Sequence, residues 1–419
     1  MKKNIWIFNH YATSMFFDHA GRHYSISEYL LKAGYKPTIF CASTYHNSLE
    51  NNNTVFGKSR IDYVHKIPFV FVNTPNYKKN GIKRIINMIS FYLKIFRVAK
   101  NYSVTTGKPD LILASSVHPL TLVAGIQIAQ RLGIPCICEV RDLWPESIVE
   151  YGTLKKNCLV TKLLYLGEKW IYKKADNLIF TMQGGKNYII DKKWDYANGG
   201  PIDLSKVFYL NNGVNLREFD ENCSKYQIID NDLDSDKFKV IFVGSIRKVN
   251  DIGFFVEVAN YLKSIKENDI LFLIFGDGPE KSKLSRECDK NGLENIIFKG
   301  RVLKQNVPYI LSKSNLNLLH FQQNKLKKYG ASLNKLFEYF ASGKPIISDC
   351  EFGYDIIKKF NCGIVVDNGS PQQIAEAILK IKQSSREEIC EFSRNSIKAS
   401  KEYDYENLTK NLIELIEGI

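Results

Sequence analysis

The chain has 419 residues, 44% of them hydrophobic, which suffices for two domains with sizeable cores. Its 58 Lys+Arg against 44 Asp+Glu leave a net charge of +14, a balance that favours an anionic partner: nucleic acid, anionic lipid or a phosphorylated ligand. Nucleic acid is set aside because no helix-turn-helix, zinc or aromatic-platform signature accompanies the charge, and no apolar run approaches the ~20 residues that span a bilayer.

The charged start MKKNIWIFNHYATSMFF is cut by Asn9, His10 and Tyr11 and reads as a first strand, not a signal peptide. Strands are predicted at 4–8, 37–41, 111–114, 136–140, 177–180 and 207–210, with helices at 25–33, 120–132 and 160–174. Cys136 and Cys138 alternate within IPCICEV, the pattern of a buried strand and not of a metal site; the nine scattered cysteines suggest free thiols in a reducing compartment. After Asn211-Asn212-Gly213 a second series begins. Its strands fall at 239–243, 271–275, 296–298, 316–319, 345–348 and 363–366, and its helices at 252–265, 281–291, 307–312, 333–341 and 371–382. Alternation of this kind predicts an α/β chain with two doubly wound, Rossmann-like domains. The acidic stretch 220–236 reads as the linker between them, no internal repeat is visible, and low complexity is confined to the run Asn51–Asn53.

Four features of the first half carry chemistry. Asp18-His19-Ala20-Gly21-Arg22-His23 offers a glycine turn and a basic helix start, able to meet phosphate; it is not G-x-G-x-x-G, so a dinucleotide cofactor is not indicated. His118-Pro119 follows the 111–114 strand and is either a site residue or a helix-start residue satisfied by backbone. Glu139-Val140-Arg141-Asp142-Leu143-Trp144-Pro145-Glu146 sets four charges directly after an apolar strand, a density that is costly unless the groups bind something or each other. The segment from Lys78 to Lys100 carries seven positive charges and no negative one, with Ile82, Ile85, Ile86, Ile89, Leu93 and Phe96 at helical spacing. It reads as a basic amphipathic helix for an anionic membrane surface, or as a core-packed helix with a solvated face.

The second half is richer. Gly244-Ser245-Ile246-Arg247-Lys248 ends its first strand with a close backbone approach and two cations, suited to a diphosphate or merely a solvated basic loop. Gly276-Asp277-Gly278 follows the next strand; a lone Gly-x-Gly is commonly a plain turn, but strand C-termini of such sheets are where ligands bind. Arg301 is a third, weaker candidate. The stretch YGASLNKLFEYFASGKPIISD at 329–349 is the most informative: a flexible approach, a short helix with Asn334, Lys335, Leu336 and Glu338, and a buried strand. Lys335 can meet a diphosphate. Glu338, one turn on, can accept from a ribose diol but is repelled by phosphates.

Together these residues resemble a known family. Gly21-Arg22, SSVHPL at 115–120, EVRDLWPE at 139–146, NNGV at 211–214, VGSIRK at 243–248, FGDGPEK at 275–281, FKGRV at 298–302 and NKLFEYFASGKPII at 334–347 resemble retaining glycosyltransferases of the GT-B fold, family four, nearest to the amino-sugar (N-acetylfucosamine-type) transferases of O-antigen and capsule assembly. The resemblance implies two Rossmann-like domains facing across a cleft: 1–215 for the acceptor, 216–395 for the nucleotide sugar, and a C-terminal helix, 396–419, packing back on the first. It implies transfer from a UDP-sugar to a polyprenyl-diphosphate-linked saccharide, with no metal or other cofactor, at the inner face of the bacterial plasma membrane. Glu338 matches the second Glu of the family's E-x7-E motif. The first falls at Gly330 and is missing, which implies an atypical or deoxygenated donor sugar. Arg247 matches the phosphate-binding Arg, with Lys248 and Lys335 beside it in donor binding, along with Gly21, Arg22, Gly244, Ser245, Gly276, Gly278, Arg301, Asn334 and Leu336. Arg141 aligns with the active-site His of many relatives, with His118 as the other candidate; Asp18 and Asp142 are acceptor-side bases. Two other readings keep the fold: a UDP-sugar 2-epimerase, which needs no acceptor, and a non-catalytic nucleotide-sugar-binding scaffold.

Overall fold

Two apolar strand series build two separate sheets in the computed structural model, which describes residues 2–45, 59–78, 81–116 and 118–419. Asn51–Asn53, Lys79 and Val117 of the motifs above lie outside the described residues. The chain divides into two units: Met1–Asn211 with Leu408–Ile419, and Asn212–Asn407.

Among the described residues, the first unit holds eight strands: β1 (Asn4–Phe8), β2 (Lys36–Ala42), β3 (Ser59–Val64), β4 (Ile67–Val72), β5 (Leu111–Ser115), β6 (Cys136–Val140), β7 (Asn177–Phe180) and β8 (Val207–Tyr209), in the order β3-β4-β2-β1-β5-β6-β7-β8. Every pairing is parallel except β3 with β4. Parallel strands are buried on both faces, which is why they read as unbroken apolar runs. Trp6, Phe8 and Phe40 are fully buried at the centre, with the Trp6 and Phe40 rings 5.0 Å apart; each such side chain contributes about 1.5–3 kcal/mol. Cys136 and Cys138 lie buried on one strand, as free thiols.

The β3–β4 pair was not legible in advance. Its turn is His65-Lys66, both at positive φ (46° and 71°), where hairpin turns normally announce themselves with Asn-Gly or Asp-Gly.

The second unit holds β9 (Phe238–Val243), β10 (Ile270–Phe275), β11 (Ile296–Gly300), β12 (Leu316–Leu319), β13 (Ile346–Ser348) and β14 (Gly363–Val365), all parallel, in the order β11-β10-β9-β12-β13-β14. Its core joins Phe242, Phe255, Leu262, Phe272, Ile274 and Ile378. The acidic stretch 220–236 is not a free linker. It begins inside the Leu216–Lys225 helix and is then pinned to this unit: Lys299 Nζ reaches Asp230 at 2.7 Å and Asp232 at 2.5 Å, and Lys313 Nζ reaches Asp234 at 2.9 Å. Charge that looks like solvation in the sequence finds lysines in the fold. At the C-terminus two helices form, Arg386–Glu402 and Tyr405–Glu417; Leu408–Ile419 cluster with the first unit, where Lys2 Nζ meets Glu417 at 3.0 Å.

Candidate active site

Ligands of doubly wound sheets gather at the strand C-termini, so each unit's loops at that edge define its candidate site. In the second unit these are the loops after β9, β10, β12 and β13.

The two glycine loops pack backbone against backbone. Gly244 N–H donates to Phe275 O (2.9 Å) and Ile246 N–H to Asp277 O (2.9 Å). A Cβ on Gly276 would stand 1.8 Å from Gly244 O, and one on Gly278 2.1 Å from Ile246 O. The glycines are therefore required by the approach of one loop to the other. Asn250 Nδ2 donates to Ser245 O and Oγ at 2.5 and 3.0 Å, fixing the turn before Arg247. Arg247, Lys248 and Arg301 are exposed, and none has an ion-pair partner among the described residues.

The Asn334–Ala341 helix points its first turn at the same place. Leu336 is buried and Asn334 exposed. Lys335 turns its Nζ inward, over the rings of Phe242 (4.2 Å) and Phe321 (4.5 Å), and 3.3 Å from where a Cβ on Gly244 would stand. This ammonium is buried with no hydrogen-bond partner among the described residues. Burial pushes it down to about 7. An unpaired buried cation is costly, and such groups mark functional sites when they face a built cleft of loops. Glu338 is held by an ion pair with Lys304. Gly330 closes the 325–329 turn at φ +90°, a conformation that a glutamate adopts only with strain.

Sequence reasoning missed a neighbour at this edge. His320, just after β12, donates from Nδ1 to Asp349 Oδ2 at 2.6 Å, just after β13, while its ring stacks on Phe254 at 4.3 Å. The signal was present: a polar residue directly after each apolar run.

In the first unit the charges at the strand ends are spent on each other. Glu139 is fully buried; Arg22 Nε donates to it at 2.8 Å, Ser115 Oγ at 2.8 Å, and His23 Nε2 lies 3.1 Å away. Burial favours its neutral form, but Arg22 and His23 prevail and hold the carboxyl well below the usual range. Arg22 also donates to the carbonyls of Leu210 (3.0 Å) and Asn211. Its guanidinium is thereby committed to the core of its own unit, which leaves it unsuited to the phosphate role expected of it; Gly21, at φ +112°, supplies the helix's N-cap position. Glu146 is engaged by Lys192 and by Tyr165 Oη (2.6 Å). Arg141 and Asp142 are the members of EVRDLWPE left towards solvent, Asp142 exposed and Arg141 half-buried. Asp18 is exposed at the end of the Thr13–Asp18 helix.

His118 is buried at the start of the Pro119–Leu132 helix, within a chain of side chains that fixes its tautomer. Asn87 Nδ2 donates to Thr44 Oγ1 (3.0 Å) and Pro75 O (2.7 Å), so its Oδ1 accepts from His10 Nε2 (2.7 Å). His10 Nδ1 then accepts from His118 Nε2 (2.8 Å). His118 Nδ1 is left as an unprotonated lone pair, buried, with no partner among the described residues. Burial, aided by Arg84, pushes the imidazolium down to about 3, so the ring is neutral near pH 7.

Comparison with known proteins agrees with this geometry unit by unit. Residues 22–218 match the family described as Glycosyltransferase Family 4, and residues 226–402 match Glycosyl transferases group 1. The probable glycosyltransferase WbjE of Pseudomonas aeruginosa is 21% identical over 321 residues, 76% of this chain and 73% of that one. Among solved structures, Anabaena HepE in complex with UDP-glucose superposes with a TM-score of 0.66 at 13% identity, covering 100% of both chains. WaaG, a glycosyltransferase involved in lipopolysaccharide biosynthesis, gives 0.64 at 14%, covering 99% of this chain and 100% of that one. With one glycosyltransferase family matched by each Rossmann-like half, the chain is a glycosyltransferase of the GT-B type.

Proposed function

We propose that the protein transfers a sugar from UDP to a hydroxyl of a polyprenyl-diphosphate-linked saccharide, with retention of configuration, in the assembly of a surface polysaccharide such as O-antigen or capsule. The observation that carries this reading is Lys335, a buried ammonium without a partner beside Gly244 and within reach of the loop bearing Arg247. A donor diphosphate supplies the missing counter-charge. UDP-glucose bound to HepE and the lipopolysaccharide role of WaaG support the donor and the pathway class.

In the reaction the bond from the anomeric carbon to the β-phosphate oxygen breaks and the bond to the acceptor oxygen forms on the same face. The acceptor proton passes to the departing diphosphate. Charge growing on that diphosphate is met by Lys335 and Arg247, with Lys248 beside them and Arg301 on the neighbouring loop, positioned before the reaction begins. No metal ion is assigned a role. Glu338 takes the ribose hydroxyls in exchange for Lys304. Asp142 and Arg141 are the acceptor-side groups, with His118 Nδ1 as a neutral hydrogen-bond acceptor. Lacking a carboxylate at Gly330, the site favours a donor sugar that does not demand one, such as an N-acetylated amino or deoxyamino sugar. A lipid-linked acceptor places the enzyme at the inner face of the bacterial plasma membrane, on anionic lipid.

The test is incubation with a panel of UDP-sugars, with and without a polyprenyl-diphosphate-linked saccharide. The reading expects a glycosylated lipid and free UDP only when acceptor is present. Epimerised UDP-sugar without acceptor would replace it with the epimerase, and binding without turnover of any kind would replace it with the scaffold.

A further inference from the structure

Among the described residues of the first unit, two long exposed apolar rows lie on helices that share one side of its sheet. The Ile82–Thr106 helix links β4 to β5, Pro119–Leu132 links β5 to β6, and Leu159–Lys174 lies between β6 and β7. Right-handed crossovers that step in one direction along a parallel sheet place all three on the same face, and Pro119–Leu132 packs against both of the others. At usual helix spacing the outer two axes stand roughly 20 Å apart.

Each outer helix is apolar on the side away from the core. In Ile82–Thr106 the buried stripe is Asn87, Phe91, Ile95, Val98 and Tyr102. The residues Ile82, Ile85, Ile86, Ile89 and Leu93 form the opposite, outward face, with Ile82 76% and Leu93 63% exposed. The regular apolar spacing seen in the sequence is thus not the core-packing stripe. In Leu159–Lys174 the pattern repeats: Thr161, Glu168, Ile171 and Tyr172 face inward, while Leu159 (73%), Val160, Leu163 (58%) and Leu166 face out. Both rows occupy the N-terminal halves of their helices, which in this topology is the strand C-terminal edge where Arg141 and Asp142 are presented.

Charge selects the occupant. The Ile82–Thr106 helix has no acidic residue, and Lys83, Arg97 and Lys100 on it are exposed. From Tyr151 to Lys174 the one carboxylate is Glu168, buried under hydrogen bonds from Tyr172 (2.8 Å) and Tyr188 (3.0 Å), while Lys155, Lys156 and Lys162 are exposed. A second copy of so basic a face would be repelled. Apolar rows fringed by lysine, with no exposed acid on Ile82–Thr106 or from 151 to 174, match an anionic bilayer, where acyl chains receive the rows and headgroups receive the lysines.

We infer that the Leu159–Lys174 helix is a second membrane anchor acting with Ile82–Thr106, so that two parallel apolar rows seat the first unit on an anionic bilayer and hold the Arg141–Asp142 edge at headgroup level. The inference rests on the proposed lipid-linked acceptor for its purpose and on the exposed rows alone for its geometry. Two separated rows fix orientation, which one helix leaves free to roll.

Flotation with vesicles of phosphatidylglycerol and phosphatidylcholine (3:7), and of phosphatidylcholine alone, tests it on the full chain. The triple substitution Leu159→Ser, Leu163→Ser, Leu166→Ser alters outward residues only. It is expected to lower partitioning at least tenfold, as does Ile85→Ser with Ile86→Ser and Ile89→Ser, while the thermal shift given by UDP is retained. Wild-type partitioning by the Leu159 triple variant overturns the second anchor. Sedimentation as a dimer that the same variant dissolves, without vesicle binding, overturns it in favour of self-association. Vesicle binding lost in the variants together with no UDP response in wild type leaves this inference standing and removes the donor reading instead.

Discussion

The cations at the strand ends of the two units meet opposite fates. Arg22 and Lys335 both follow a glycine- or serine-bearing loop, both start a helix, and both are drawn inward. Arg22 finds a buried carboxylate and two carbonyls, and its charge is consumed by the fold. Lys335 finds two aromatic faces and no acceptor, and its charge remains to be answered by something from outside. The difference separates a structural ion pair from a binding site more sharply than the density of charge does: EVRDLWPE is the more charged motif, yet two of its carboxylates are already taken.

If that contrast holds, the two positions respond to mutation with opposite signs. Arg22→Met leaves the buried Glu139 without its guanidinium, with only Ser115 Oγ and His23 Nε2 beside it, and is expected to cost about 3–5 kcal/mol of stability in urea unfolding. A loss below about 1 kcal/mol would dissolve the contrast from the first unit's side. Lys335→Met removes a buried charge, so the melting temperature of the free protein is expected to hold or rise, while UDP affinity measured by calorimetry falls by about 100-fold, the scale of a charge-assisted contact. A variant that melts at lower temperature yet binds UDP with wild-type affinity would reverse the assignment.

His118 sharpens the comparison within the first unit. Its folded-state value lies below the 6.5 of the exposed ring, so the unfolded chain binds the proton more readily between 6.5 and about 3, and stability falls as pH falls through that window. At pH 5 the contribution is about 2 kcal/mol. His118→Gln is expected to flatten this acid limb in unfolding curves recorded from pH 7 to 4; an unaltered limb would place the sensitivity elsewhere. The smallest effect is assigned to Glu338. Glu338→Ala is expected to weaken UDP binding about tenfold, roughly 1.4 kcal/mol, without changing the fold. Equal affinity would remove the ribose role.

Much of the framework was legible. Strands buried on both faces, such as 4–8, 136–140 and 271–275, stand out as short apolar runs, and the helix expected at 371–382 forms as Pro371–Gln383, opened by a Ser370–Gln373 capping box. What escaped was long-range. The β3–β4 hairpin turns on His65-Lys66, residues with no turn signature, and the tie from Lys299 to the acidic stretch spans 67 and 69 residues. At the site, the residue types after each strand were readable, but their pairing was not. Nothing in the sequence tells that Arg22 reaches Glu139, 117 positions away, or that Lys335 reaches no carboxylate. The glycines of 276–278 read as a plain turn or as room for a ligand, and only the fold reveals that the group they admit is the 244–246 backbone.

Proton linkage at Lys335 tests the central claim most directly. With burial holding the free ammonium at about 7, the site is mostly deprotonated at pH 8, and a diphosphate that demands the charged form must bring a proton in. Titration calorimetry of UDP at pH 8, in two buffers of different ionisation enthalpy, is expected to show uptake of close to one proton per UDP, absent in Lys335→Met, with wild-type affinity weakening as pH rises above about 7. Binding with no proton uptake, and the same pH profile in wild type and Lys335→Met, would contradict the claim that this ammonium grips the diphosphate.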